Sequence, residues 1–268
     1  MRLGTGARGR GTATVCASAT LVVLACFAPA QAEPGLQPVR IENWATFQED
    51  ANGTHQWKLE PHFYLPYAFD SGWTATLRVD VPMIDTNAIG AAKSTPGHSG
   101  GIGNVFFEAI GGTPDLAPGL RLRGSLRLVL PSPKGEPFGN GSQYQWAPML
   151  GMILDRPEVL RGLTLSPSVR WFRGFSPQTP GMTLVNTFNI FPTVSFGLGD
   201  GWALTFYKEA GPIVYNQVDG TWFVPLDVGL YRTLGKGSSF GFGAAVKLGN
   251  PSDPSYDYQV YAMLGLQF

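Results

Sequence analysis

The sequence predicts an all-β chain folded as a transmembrane antiparallel up-and-down β-barrel of about 12 strands, with about 10 as the fallback. Three observations predict it. Apolar and polar residues alternate with period two along extended segments, the spacing of a strand with one apolar face. No run of 18 apolar residues occurs, which excludes a membrane-spanning helix. The connections between segments tend to alternate short and long, as they do in outer-membrane barrels with short periplasmic turns and longer external loops.

At the N-terminus, Arg2, Arg8 and Arg10 precede an apolar stretch, Thr14 to Phe27, and Ala30-Gln31-Ala32 offers a small-x-small cleavage site. This reads as a secretory signal peptide over residues 1–32, leaving 33–268 as one barrel domain. Val23-Leu24-Ala25-Cys26 is a rival site of lipoprotein type. Cys16 and Cys26 both lie in the leader, so no disulfide is expected in the exported chain. The leader takes three basic residues and no acidic ones, leaving 16 basic against 19 acidic. That balance speaks against nucleic acid as a partner.

The strands follow in order. Val39 to Phe47 sets Val39 and Ile41 against Arg40 and Glu42, but the pattern fails at Asn43-Trp44, so strand and short helix both stand. Trp57 to Phe69 is followed by Trp73 to Met83, with Trp73, Ala75, Leu77 and Val79 on one face and Arg78 and Asp80 on the other. Leu120 to Leu130 alternates Leu120, Leu122, Leu126 and Leu128 with Arg121, Arg123 and Arg127. Tyr144 to Leu154, Leu163 to Trp171, Leu184 to Leu198 and Trp222 to Leu230 continue the pattern. Phe240 to Leu248 sets Phe240, Phe242, Ala244 and Val246 against Gly241, Gly243, Ala245 and Lys247. Those small residues suit the inside of a curved wall better than an exposed sheet face.

Membrane strands tilted by about 45° need about 9–11 residues, whereas soluble strands average about 5–6. Long strands with a uniformly apolar face therefore favour the barrel over a soluble sandwich. The longest connection, Asp85 to Gly103, falls on the external side if the last strand ends in the periplasm. That last strand has Tyr258, Val260, Ala262, Leu264 and Leu266 on one face, and the chain ends on Phe268. A terminal aromatic on an alternating strand resembles the signature that outer-membrane barrels offer to the barrel-assembly machinery. Phe268 is therefore expected to be an assembly signal, and outer-membrane lipid to meet the apolar face.

Five stretches resemble a family of bacterial outer-membrane proteins of the phenol meta-cleavage pathway transporter type. They are PHFYLPYAFDSGWTATLRVDVP (61–82), GIGNVFFEAI (101–110), LRLVLPSPKG (126–135), FPTVSFGLGDGWALT (191–205) and TWFVPLDVGLYRTLG (221–235). Two departures stand out. The family's Gly-x-Gly-Asp is Gly101-Ile102-Gly103-Asn104, and its Leu-Pro-Thr-Gly-like end is Leu130-Pro131-Ser132-Pro133. The resemblance implies a bacterial outer-membrane location and uptake of small organic molecules, and the expected cargo of this chain is a small aromatic or amphipathic solute.

Charges on the inward face must line water or pair, because charge facing lipid costs about 2–4 kcal/mol at mid-membrane. The candidates are Lys58, Glu60, His62, Arg78, Asp80, Glu108, Arg121, Arg123, Arg127, Arg170 and Asp227. They read either as the lining of a narrow, charge-selective pore or as a salt-bridged filling that seals a structural or adhesive barrel. Trp57, Trp73, Trp146, Trp171, Trp202 and Trp222 sit mostly at strand ends and read as an interfacial girdle. His98-Ser99 is a weak hint of a lipid-acting hydrolase, but both lie in a Gly-rich loop without a third orienting group. His55, His62 and His98 lack metal-ligand spacing. Gly197, Gly199 and Gly201 end one strand and begin another, not the helix a nucleotide fingerprint requires. No catalytic residue, metal or cofactor is expected.

Overall fold

The alternation is realised as strand. The computed structural model describes residues 35–87, 99–132, 143–156, 160, 162–177, 181, 183–249 and 256–268. The leader and His98 lie outside them. The strands are β1 (Arg40–Glu49), β2 (His55–Ala68), β3 (Thr74–Asp80), β4 (Met83–Thr86), β5 (Ser99–Ile102), β6 (Val105–Gly112), β7 (Leu120–Leu130) and β8 (Gln143–Asp155). They continue with β9 (Thr164–Pro177), β10 (Asn186–Gly199), β11 (Trp202–Phe206), β12 (Ile213–Asn216), β13 (Thr221–Thr233), β14 (Ser239–Gly249) and β15 (Tyr258–Gln267). Among the described residues the one helical turn is a 3₁₀ turn at Gly235–Gly237, and no helix is long and apolar enough to cross a membrane.

Every pairing is antiparallel, and β1 bonds to both β2 and β15, which closes the sheet. Closure leaves no free edge, the condition for strands to cross lipid. The 15 strands make twelve staves, because three staves are each broken in two. β3 and β4 both pair with β2 and form one stave broken at Val81-Pro82, where proline cannot donate to the ladder. β5 and β6 form the next, broken at Gly103-Asn104. β11 and β12 form the ninth, both paired with β10 and with β13. The strand count of twelve thus holds, and Val39 to Phe47 resolves as strand. Its pattern breaks at Trp44 because that ring is an aromatic on the inner face, packed with Tyr231, Tyr261 and Met263.

The barrel is inverted relative to a soluble protein. Leu150 is 70% exposed and Leu77 60% on the outside, while Asp227 and Gln145 are 0% exposed inside. A closed cylinder of strands with this outer face is built for lipid. Aromatics meet at both ends of the wall. Phe47 lies on Trp57, Trp146 on Trp171 and Tyr215 on Trp222 at one end. Tyr67 meets Phe69, and Trp202 meets Phe240, at the other.

The small inner face of β14 has a specific cause. Tyr231 lies opposite Gly241, and Tyr261 opposite Gly243. A Cβ at either glycine would overlap the facing ring. Bulk on β13 and β15 thus fills the space that β14 vacates.

Candidate functional site

The ninth stave carries the feature that shapes the lumen. Between Phe206, paired with Val194, and Ile213, paired with Ile190, six residues (207–212) face three (191–193) of β10. The surplus leaves the ladder and enters the barrel, an enlarged form of the extra-residue insertion that bends a strand. Tyr207 turns the chain with φ of 51°, a cost non-glycine residues bear only when their surroundings hold them. Its N–H donates to the Asp227 carbonyl and its carbonyl accepts from the Thr193 hydroxyl, at 3.1 and 2.6 Å. The Gln259 side chain donates to the Ala210 carbonyl at 3.0 Å. Gly211 is required by close approach: a Cβ there would lie 2.7 Å from the Asp227 Cβ.

Glu209 is the tip of this excursion. Its carboxylate lies 2.8 Å from Arg78 Nη1 and 3.2 Å from Arg127 Nη2. Arg78 stands on the third stave, six places round a ring of twelve from the ninth. The contact therefore bridges the lumen across its diameter.

Around the bridge, alternation on β2, β3, β6, β7 and β9 aims charges inward. Arg78 Nε donates to Asp80 at 2.7 Å. Arg127 and Arg170 both donate to Glu108, at 2.6 and 2.5 Å. Lys58 pairs with Glu60 at 2.8 Å. His62 lies 3.0 Å from Arg78 Nη2, 3.7 Å from Glu60 and 3.9 Å from Asp80. Glu60, His62 and Asp80 are close enough to hold a metal ion, but Lys58 and Arg78 already engage these groups. Among the described residues, His62 has no serine or cysteine partner, so no nucleophile–base pair of a hydrolase is seen among them there.

On the side of the bridge where Arg40 pairs with Gln267, the lumen holds a cavity of about 420 Å³. Arg78, Arg170, Lys208 and Glu209 line it toward the bridge, and Arg40, Glu42 and Arg123 line its walls. Trp44, Tyr64, Phe191 and Tyr231 supply aromatic surface. Lys208 Nζ sits 3.8 Å from the Tyr231 ring centre and 5.6 Å from that of Trp44, a cation–π arrangement.

Of the residues singled out from sequence, Lys58, Glu60, His62, Arg78, Asp80, Glu108, Arg127 and Arg170 come together in this one network. Asp227 is buried apart from it and accepts from the Tyr261 hydroxyl at 2.7 Å. Arg123 faces the cavity. Arg121 pairs with Asp155 at 2.8 Å at the end of β7, 42% exposed. The Phe268 N–H donates to the Val39 carbonyl, and its ring is exposed. Lys208 and Glu209, at the centre of the site, were not among the sequence candidates. Their signal was Gly211-Pro212, a turn dipeptide inside what otherwise reads as one strand.

No family model matches the chain, and no curated protein matches it. Among solved structures, an outer-membrane channel from Pseudomonas putida F1 is similar over 90% of this chain and 100% of its own, at 10% identity and a TM-score of 0.67. That likeness is one of fold. The β domain of the Bordetella autotransporter BrkA covers 88% of this chain and 100% of its own, at 16% identity and a TM-score of 0.48. The Ralstonia pickettii toluene transporter TbuX covers 88% of this chain and 90% of its own, at 10% identity and a TM-score of 0.45. Neither of these two weaker likenesses carries an argument.

Proposed function

We propose that this outer-membrane β-barrel is a narrow passage for small solutes, constricted at the Glu209 bridge. One observation carries the reading: the polar lumen keeps an open cavity beside the bridge instead of being filled with side chains. A barrel whose only task is to seal would be expected to pack its interior with side chains, as barrels of about 8 strands do. Here twelve staves enclose a cavity of about 420 Å³. The barrier beyond it is a network of ion pairs rather than an apolar plug. The Pseudomonas putida barrel of the same fold is described as a channel, which supports the reading by analogy of fold. The resemblance of the sequence to pathway-type transporters supports small organic molecules as the cargo.

A sealed structural barrel is the second reading, and the diametric bridge itself favours it. Swelling of liposomes carrying the refolded protein separates the two. Passage requires swelling in small solutes such as glycine and acetate. Liposomes that stay unswollen in every small solute, with folded protein present, support the sealed barrel instead.

A further inference from the structure

We infer that the cavity beside the bridge is a binding site for a small organic anion with a flat apolar body. The inference deepens the passage reading by naming the chemistry of what dwells on the way through. Five cationic side chains line the cavity, Arg40, Arg78, Arg123, Arg170 and Lys208, against two carboxylates, Glu42 and Glu209.

The carboxylates are satisfied. Glu42 accepts from Trp44 Nε1 and the Tyr64 hydroxyl and pairs with Arg40. Glu209 is held by Arg78 and Arg127. The cations are not all satisfied. Arg78 has Asp80 and Glu209, and Arg170 has Glu108. Arg123 and Lys208 have no ion-pair partner among the described residues, and Arg170 Nε is buried without a hydrogen-bond partner.

A concave wall with surplus charge of one sign concentrates the opposite ion, even where, as at Arg40 and Arg123, part of the wall is open to water. A carboxylate answers the open donors, since ionised acceptors make the stronger hydrogen bonds with guanidinium and ammonium. The apolar body is asked for by the rest of the lining. Trp44, Tyr64, Phe191 and Tyr231 contribute aromatic surface to the lining, which suits an aromatic partner. A neutral ring of the same shape would leave the cations unmatched. A cationic ring would meet only carboxylates already engaged.

The test is calorimetric titration of the refolded full-length protein in detergent with three probes of one shape: sodium benzoate, benzyl alcohol and benzylammonium chloride. Benzoate is expected to bind about tenfold or more tightly than benzyl alcohol, the worth of one charge-assisted hydrogen bond. Benzylammonium is expected not to bind. Arg123→Gln with Lys208→Gln should weaken benzoate by a similar factor, and Arg123→Lys with Lys208→Arg should restore much of it. Heat-modifiable gel mobility reports whether each variant folds. Benzyl alcohol binding as tightly as benzoate to the unmodified protein overturns the inference, as does absence of benzoate binding. So does a folded double glutamine variant with undiminished affinity. Binding without solute passage would leave this site standing and remove the passage. Passage without binding would do the reverse.

Discussion

Glu108 holds two buried arginines at once, Arg127 and Arg170. Glu108→Ala leaves both with a lost partner, and breaking a buried pair in this way costs about 3–5 kcal/mol. Urea unfolding of the refolded barrel in lipid vesicles checks the loss. Glu209→Ala should cost clearly less in the same assay, because Arg78 retains Asp80 and Arg127 retains Glu108. The difference between the two carboxylates also marks what sequence could reveal. Arg78, Asp80, Glu108 and Arg127 keep strict alternation, so their facing was readable from their neighbours. Lys208 and Glu209 are adjacent, and adjacent strand residues point to opposite faces. Both turn inward only because the chain leaves the ladder there.

Facing and fit are tested strand by strand. Leu264 on β15 is exposed on the lipid side, so Leu264→Arg should destabilise by about 2–4 kcal/mol if it lies near the midplane. Unfolding in vesicles again reads it, and an unchanged midpoint would contradict the outward facing. On β14 the inner side is full. Gly243→Val meets the Tyr261 ring and the Val228 carbonyl, and overpacking of this kind costs about 1–3 kcal/mol. Pairing it with Tyr261→Phe should recover little, because the ring remains. The sequence marked β14 as small-faced but not which rings made it so, since the facing partners are set by register between strands. β1 was ambiguous for a related reason. Trp44 is an apolar residue on the polar side, and it belongs there because Tyr261 and Met263 from β15 meet it across the closure.

The whole molecule is legible where physics acts uniformly and obscure where it acts once. Lipid imposes one apolar face on nearly every strand, so the barrel could be read from period two, and the count of twelve from that period together with the alternation of the connections. The break in the ninth stave happens at a single place, and nothing repeats to announce it. Yet that break brings Glu209 to Arg78 across the lumen and defines both the constriction and the cavity beside it. The most direct test is single-channel conductance in planar bilayers of the unmodified protein and of Glu209→Ala. The expected result is small conductance steps from the unmodified barrel and larger steps once the bridging carboxylate is gone. Conductance that is absent from both proteins, or that is the same in both, would contradict a passage constricted at this residue.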